Sequence, residues 1–228
     1  MTTTWRRELP SLLLLAVTLG LLVTTWSAAG DRVPVHWNAA GEIDRYGSKA
    51  MGLLLPPLFA VGLYLLLLFV PRVDPGRANY ATFSDTYLVI RTAVLALITG
   101  FYGVTCLAAR GFEVSMERVA PLAVGALFVV LGSVMGKIRP NWFVGIRTPW
   151  TISSKASWVR THRLGGWLFL VLGLAFVVNA LTARWWTAGW IVGGILAMVV
   201  ILFAYSYFVW RDDPDKIPPA GTLPGGED

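Results

Sequence analysis

Two polar stretches interrupt an otherwise apolar chain, and both contain residues that could do chemistry. The first stretch holds His36, Glu42 and Asp44, whose imidazole and carboxylate groups suit a divalent metal ion. The second holds His162, which would act as a general base if a nucleophile and oxyanion donors stood beside it. The first stretch has one histidine and no ligand pair at helical spacing, and no activated nucleophile accompanies His162. We therefore predict a protein that is not an enzyme, with no bound metal and no cofactor.

The longer polar stretch, Asn141 to Gly166, reads NWFVGIRTPWTISSKASWVRTHRLGG. It holds four basic residues and no acidic residue, although it lies between two apolar segments. Gly145 and Pro149 interrupt helical character in its first part. The residue that precedes a proline, here Thr148, favours an extended backbone. We therefore predict an extended segment from Asn141 to Pro149.

A short helix is predicted to follow this extended segment. Ser153 or Ser154 is a good N-cap, and Trp158 and His162 share one helix face because they are four residues apart. Trp158 would then lie among lipid headgroups while basic side chains meet the phosphates. Those basic residues are Lys155, Arg160 and Arg163. Two partners stay open: the anionic headgroups of the bilayer, or a cytoplasmic protein that docks on the Trp and Arg side chains.

The shorter polar stretch, residues 33–49, has the composition of a folded loop. Pro34 favours an extended approach. Asn38 to Gly41 is typical of a turn, in which glycine can adopt a positive φ. Asp44 can form ion pairs with the nearby basic residues, Arg45 and Lys49. Two interpretations stay open: an outward recognition surface, or a folded loop that caps the helices and satisfies its own polar groups.

The rest of the chain predicts a polytopic membrane protein. Of its 228 residues, 56% are hydrophobic and only 14% are charged, whereas a soluble domain usually carries about 25% charged residues. A helix needs roughly 20 apolar residues to cross a bilayer, and six stretches approach that length. They are Leu9–Ala29, Met51–Val70, Tyr87–Ala109, Val119–Gly136, Leu164–Ala183 and Trp186–Trp210. We predict an all-α fold of six transmembrane helices.

The distribution of basic residues predicts the orientation of these spans. Most of the 19 Lys and Arg residues lie in the N-terminus, the second and fourth loops and the C-terminal segment, and such loops face the cytoplasm. Both termini are therefore predicted to be cytoplasmic. We divide the chain into a membrane domain, residues 1–210, and a disordered cytoplasmic tail, residues 211–228. The membrane domain contains an outer loop at 30–50 and a cytoplasmic loop at 137–163.

Two general alternatives follow from the charge and from the N-terminus. The formal net charge of +6 is explained by the bias of cytoplasmic loops and by contacts with anionic lipid, so we predict no direct nucleic acid binding. Arg6 and Arg7 before a leucine run, with Ser27–Ala29 after it, also fit a cleaved signal peptide. The apolar stretch is longer than a usual signal core, which favours an uncleaved span.

Polar groups inside the predicted spans are few. Arg91 is predicted to extend toward the interface, with a buried ion pair to Asp85 as the alternative. No Asp, Glu, Lys or His lies in the deeper parts of the spans, and Asn179 is the main strongly polar residue there. This scarcity weighs against a proton-coupled transporter. Several glycines fit close helix packing; they are Gly20, Gly62, Gly125, Gly132, Gly173, Gly193 and Gly194.

Both polar stretches resemble known sequence signatures. The string GKIRPNWFVGIRTPWT, residues 136–151, with Trp158, His162, Arg163 and Gly166 after it, resembles the signature of the SdpI family of bacterial membrane proteins. The string PVHWNAAGEID, residues 34–44, with Tyr46 and Lys49, resembles the small domain of unknown function that commonly precedes that signature. The two motifs occur in this order among six spans, and the resemblance covers nearly the whole chain except the tail.

The resemblance implies a location, a function and two sets of site residues. The location is the bacterial cytoplasmic (inner) membrane, in a multi-pass arrangement. The family's founding member protects cells from a secreted peptide toxin and sequesters a small helix-turn-helix repressor at the membrane. The motif residues implied as a binding site are Asn141, Gly145, Arg147, Thr148, Pro149, Trp158, His162 and Arg163. The residues implied for outer recognition are Pro34, His36, Trp37, Asn38, Gly41, Asp44 and Lys49.

We therefore expect an integral membrane immunity and signal-transducing protein. Its expected partners are the lipid bilayer with its anionic headgroups, a peptide toxin outside and a repressor inside. A small transporter or channel-like protein is the first alternative, and a membrane-embedded metal-dependent enzyme is the second.

Overall fold

A computed structural model of the protein describes residues 5–182 and 188–217. The helices are α1 (Trp5–Trp26), α2 (Leu55–Val73), α3 (Ser84–Ala109), α4 (Met116–Met135), α5 (Pro149–Ser153), α6 (Lys155–Thr182) and α7 (Ala188–Arg211). A π-helical turn, Ala50–Leu54, precedes α2, and a 3-10 segment, Arg77–Phe83, precedes α3. In these residues, six helical segments are long and apolar enough to cross a membrane. The predicted all-α fold with six membrane-spanning helices is confirmed.

The six long helices, all except α5, form two groups of three. Helices α1, α2 and α3 pack together, α4 packs on α6, α6 packs on α7, and the two groups meet along α3 and α4. The direction of the chain alternates, so the α1–α2 and α3–α4 connections lie at one end of the bundle, and the α2–α3 and α4–α6 connections lie at the other. The predicted span ends at Ala183 and Trp186 lie outside the described residues.

The predicted outer loop is a β-hairpin. Strands β1 (Arg32–Trp37) and β2 (Ile43–Ser48) pair antiparallel, from Arg32 opposite Ser48 to Trp37 opposite Ile43. We call this side of the molecule the hairpin end. The sequence predicted its extended approach and its turn, but not the pairing of the two strands.

Helix α4 approaches α6 closely because glycines face each other. A Cβ atom on Gly132 would lie 2.7 Å from the carbonyl oxygen of Gly166, and one on Gly125 would lie 2.8 Å from that of Gly173. The predicted packing role is confirmed for Gly125, Gly132 and Gly173, and Gly194 also lies against a neighbouring side chain, that of Leu172. It is wrong for three others, which have no neighbour within 4 Å; they are Gly20, Gly62 and Gly193.

Replacement of Gly132 by alanine is expected to destabilise the bundle. The added Cβ would meet backbone atoms of α6, which cannot move away independently, so the cost is about 1–3 kcal/mol. Thermal loss of helical circular dichroism from the purified protein in detergent measures the effect. Gly62→Ala is the matched control, since its Cβ would meet nothing within 4 Å. Equal midpoints for the two variants would show that the α4–α6 approach is looser than described.

Polar pairs, in contrast, join α1 to α3 along their whole length. The Ser11 and Thr92 hydroxyl oxygens lie 3.1 Å apart, and those of Thr18 and Thr99 lie 2.9 Å apart. At the hairpin end, Arg110 Nε donates to Thr25 Oγ1 at 3.2 Å. Such hydrogen bonds hold transmembrane helices together where apolar contacts alone give no preference.

A buried ion pair completes this interface, and it corrects two predictions. Arg91 is 2% exposed and does not extend to the interface. Its Nη2 donates to both carboxylate oxygens of Glu8, at 2.7 and 2.8 Å, and Tyr64 Oη donates to Glu8 Oε2 at 3.1 Å. Asp85 instead pairs with Arg7 at the surface. Glu8 lies in the first turn of α1, inside a helix predicted to start only at Leu9, because α1 begins at Trp5.

Candidate functional site

The α4–α6 loop, residues 136–154, contains α5 and most of the sequence motif. It lies at the end of the bundle opposite the hairpin, beside the α2–α3 connection and the first residues after α7. The structure ends this loop at Ser154, since α6 begins at Lys155 rather than after residue 163. The backbone from residue 137 to Thr148 is non-helical, as predicted from Asn141 onward. It is not extended throughout, because residues 142–145 form bends and Pro149 already belongs to α5.

Asn141 organises the first half of the loop from inside. Its Oδ1 accepts the N–H groups of Phe143 and Val144 at 2.9 and 2.6 Å. Its Nδ2 donates to the carbonyl oxygens of Arg139 and Val144, both at 2.9 Å. The side chain is 5% exposed, and these four hydrogen bonds all lie within the loop.

Asp74, from the α2–α3 connection, anchors this half of the loop, a role that was not predicted from the sequence. It is 1% exposed and accepts hydrogen bonds from Tyr80 Oη at 2.7 Å and from the N–H of Trp142 at 3.1 Å. Nearby, Asn79 Nδ2 donates to the carbonyl oxygen of Pro140 at 2.7 Å. The string Asp74-Pro75-Gly76 is typical of a turn, but nothing local indicates a partner 68 residues away.

His162 holds the second half of the loop. Its Nε2 accepts the N–H of Ile146 at 3.0 Å, and its Nδ1 lies 2.8 Å from the carbonyl oxygen of Trp158, to which it donates. The proton is therefore assigned to Nδ1, because a carbonyl oxygen can only accept. Both ring nitrogens face backbone groups and the ring is fully buried, which leaves neither nitrogen available for proton transfer to a substrate.

Trp158 lies beside His162 in the protein interior, and this corrects its predicted place among lipid headgroups. It is 1% exposed, its ring centroid is 4.2 Å from that of His162, and its Nε1 donates to the carbonyl oxygen of Ile138 at 2.9 Å. It packs with Tyr80, Tyr87 and Met135. The predicted interfacial helix is instead the first part of α6, which turns this face toward the other helices.

Thr148 and Ser154 begin the two helices of this region. Thr148 Oγ1 accepts the N–H of Thr151 at 3.1 Å as the cap of α5, and it lies 2.9 Å from Ser206 Oγ on α7. Pro149 is the first residue of α5, where its missing N–H costs nothing. Ser154 Oγ accepts the N–H of Ser157 at 2.9 Å, which confirms the predicted helix cap.

The remaining motif residues, Gly145, Arg147 and Arg163, are exposed, and Gly145 has a φ of +112°. Arg147 Nη1 donates to the carbonyl oxygen of Trp142 at 2.5 Å. Other basic and apolar side chains are also exposed in this loop and the first turns of α6, and we call the set the basic-aromatic face; its members are Lys137, Arg139, Trp142, Phe143, Arg147, Ile152, Lys155, Val159, Arg160 and Arg163. Asp213 and Asp215 line a cleft with three of them, Lys155, Val159 and Arg160. The motif therefore has two parts: buried residues that shape the loop and exposed residues that can contact a partner.

The chain after α7 also contacts this region. Ser154 Oγ donates to Asp213, and the N–H of Ile217 donates to the carbonyl oxygen of Ser153 at 2.9 Å. The Ser154 hydrogen bond, helped by the N–H of Asp215, lowers the pKa of the Asp213 carboxyl. Residues 211–217 of the predicted disordered tail thus have defined contacts. Residues 218–228 lie outside the described residues, and disorder there stays a prediction.

At the hairpin end, the predicted turn at Asn38–Gly41 is present. Asn38 Oδ1 accepts the N–H groups of Ala40 and Glu42 at 2.9 and 3.0 Å, and Gly41 has a φ of +81°. Pro34 is buried within β1. The turn is thus fixed by its own side chain and by glycine.

Asp44 pairs with His36 rather than with Arg45 or Lys49. His36 Nδ1 lies 2.6 Å from Asp44 Oδ1, and this hydrogen bond lowers the pKa of Asp44. Lys49 instead donates to the carbonyl oxygen of Trp26 at 3.0 Å. Glu42 accepts from Asn38 Nδ2 at 3.1 Å, so the three candidate metal ligands do not converge. Across residues 5–182 and 188–217, no group of three His, Cys, Asp or Glu side chains could hold a metal ion.

Two family models match separate parts of the chain. Residues 137–206 match the SdpI/YfhL protein family, and residues 13–61 match a domain of unknown function, DUF1648. The chain is 21% identical over 207 residues to the immunity protein SdpI of Bacillus subtilis (strain 168). The aligned region covers 89% of this chain and 96% of that protein. No solved structure matches. The predicted resemblance to the SdpI family is confirmed, and the six apolar helices point to a multi-pass membrane protein.

Proposed function

We propose that this protein is a non-enzymatic immunity and signal-transducing protein of the bacterial cytoplasmic membrane. It would give resistance to a membrane-active peptide toxin. The observation that carries the proposal is the separation of the α4–α6 loop into a buried scaffold and an exposed basic-aromatic face. A catalytic loop would be expected to leave a reactive group accessible, whereas His162 has both nitrogens on backbone groups.

In this proposal the hairpin end faces outward and both termini are cytoplasmic. The basic residues concentrated around the α4–α6 loop support this orientation. A compact hairpin on a rigid bundle is a suitable receptor surface for a toxin that acts at the outer face of the membrane.

The basic-aromatic face would hold a cytoplasmic partner, for which a small helix-turn-helix repressor is our first candidate. Arg147 and Trp142 are the two side chains best suited as anchors, because Arg and Trp are enriched among residues that dominate binding energy. Trp142 is 52% exposed, and its carbonyl oxygen positions the Arg147 guanidinium. Anionic lipid headgroups are the competing occupant of the same face.

Expression of the protein is expected to increase survival of sensitive cells exposed to a secreted membrane-active peptide. Arg147→Ala is expected to remove the transducing function, measured as repressor retained in the membrane fraction, at an unchanged amount of protein. Arg77→Ala is the control, since Arg77 is exposed at the same end of the bundle but outside the motif. If wild-type expression gives no survival advantage, the immunity proposal is wrong. If both variants retain the repressor like the wild type, the assignment of Arg147 is wrong.

A small transporter or channel-like protein is the second candidate, and one observation favours it. Glu8 and Arg91 form an ion pair inside the helical bundle, and charged groups within membranes often mark a solute or ion path. A solute flux assay in liposomes, with wild-type protein and a Glu8→Gln variant, separates the two candidates. Flux that depends on Glu8 would favour transport over immunity.

A further inference from the structure

Two clefts lie next to the hairpin, at the first turns of α4. One has a volume of about 690 Å³ and is lined by the turn at Asn38–Gly41, by Glu117 and by Asn179. The other has a volume of about 470 Å³ and is lined by His36, Trp37 and aromatic residues of α3. Met116 and Ala120 belong to the walls of both. We call the two clefts together the hairpin groove.

The position of the turn over α4 is fixed by close contact. A Cβ atom on Gly41 would lie 2.8 Å from the backbone nitrogen of Glu117, so the turn rests directly on the start of that helix. This contact holds the Asn38 side chain and the Glu117 carboxylate on the same cleft. The turn and the start of α4 therefore form two walls of the larger cleft at fixed backbone positions.

The polar groups of the larger cleft are confined to three side chains, those of Asn38, Glu117 and Asn179. Glu117 is the only charged side chain among the described lining residues. An acidic residue in the first turn of a helix is commonly explained by the helix dipole, so Glu117 alone would not indicate a ligand. Asn179 is the independent observation: it is 7% exposed, it lines the cleft, and its amide makes no hydrogen bond to any part of the chain that the structure describes.

The smaller cleft has a different character. Its walls are mainly apolar and include Trp37, Phe101 and Tyr102. A pocket with broad apolar walls and a few polar groups at one end suits an elongated ligand of the same polarity. The carboxylate at that end disfavours an anionic phospholipid headgroup and favours a cation.

We propose that the hairpin groove binds an apolar peptide segment that carries a primary amine. The amine lies at Glu117, the Asn179 amide and the remaining N–H of Asn38 Nδ2 meet peptide groups, and the apolar side chains pack against Trp37 and Phe101. This inference rests on the proposed function and adds to it the location and chemical class of the outer ligand. Four outer-motif residues line the hairpin groove: His36, Trp37, Asn38 and Gly41.

The test uses the purified full-length protein in nanodiscs of zwitterionic phosphatidylcholine. Two fluorescent probe peptides of leucine and alanine are compared, one with a free N-terminal amine and one with that amine acetylated. Binding is measured by anisotropy, with empty nanodiscs to subtract partition into lipid. The free-amine peptide is expected to bind the wild type about three- to fivefold more tightly than its acetylated twin.

Glu117→Gln is expected to abolish the difference between the two peptides without affecting the acetylated one. Glu113→Gln is the matched control, since Glu113 is an exposed carboxylate in the same α3–α4 connection but outside both clefts. Asn179→Ala is expected to weaken the binding of both peptides. Preservation of the preference for the amine in Glu117→Gln would overturn the proposal, as would binding no greater than to empty nanodiscs.

The outcome is separable from that of the survival experiment. The nanodisc assay needs neither toxin nor cells, so its failure would overturn the groove and leave the immunity proposal standing. Phospholipid that co-purifies with the protein and is not displaced by either peptide would make the groove a lipid site and also overturn the inference. Normal peptide binding together with absent protection would overturn the immunity proposal alone.

Discussion

The Glu8→Leu variant is expected to lose about 3–5 kcal/mol of stability, because Arg91 would then be a buried charge without a counter-charge. Arg91 is 2% exposed, and its Nε already lacks a hydrogen-bond partner among the described residues. Removal of the carboxylate would also leave the Tyr64 hydroxyl without its acceptor. The temperature at which purified protein in detergent loses its helical circular dichroism measures the change.

The double variant Glu8→Leu with Arg91→Met should recover most of that stability, since replacement of a buried ion pair by apolar residues is often neutral. A surface pair supplies the matched control. Asp85, with 89% of its side chain exposed, pairs with Arg7 close by, and Asp85→Asn is expected to change stability by less than about 1 kcal/mol. If Glu8→Leu were as mild as Asp85→Asn, the Glu8 carboxylate would have to be far more hydrated than the structure indicates.

Replacement of Gly145 by alanine is expected to open the α4–α6 loop. Gly145 has a φ of +112°, and a Cβ atom there would lie 2.3 Å from His162 Nε2. The methyl group would therefore displace the ring that accepts the Ile146 N–H, while the backbone strain alone costs about 1–3 kcal/mol. Trypsin is expected to cut the loop faster, at Lys137 or Arg147.

Gly136→Ala is the control for this variant, because Gly136 lies in the same loop and a Cβ there would meet nothing within 4 Å. Its φ of −66° is accessible to alanine. We expect trypsin to cleave Gly136→Ala at the same rate as the wild type and Gly145→Ala at least severalfold faster. Identical digestion of the two variants would mean that His162 does not constrain the loop.

The six spans could be predicted because the length of an apolar run is a local property of the chain. It could not be predicted that α6 is one continuous helix from Lys155 to Thr182. Its first turns carry Lys155, Arg160 and Arg163, which resemble an interfacial helix in charge. The opposite face holds Ser157, Trp158 and His162, which are buried only because α4, α7 and the α4–α6 loop cover them. Sequence periodicity identified a shared face but not what that face would contact.

The candidate site could also be predicted only in part. Asn141, Gly145 and His162 could be singled out from the motif, but their structural contributions could not. Asp74 and Glu8 were missed because each acts on a partner far along the chain, at a separation of 68 residues to Trp142 and 83 residues to Arg91. A single sequence has no local signal for such pairs. The predicted span boundary at Leu9 also placed Glu8 outside the membrane by one residue.

The contacts of Asp213 and Ile217 with Ser154 and Ser153 have a thermodynamic consequence. Docking of the segment after α7 and binding of any molecule to the α4–α6 loop share residues, so their free energies are coupled and the coupling is reciprocal. A ligand that binds more weakly when the segment is docked must loosen the segment by the same factor. A reporter fused to the C-terminus would therefore read the occupancy of the loop, and it would also alter the affinity that it reads.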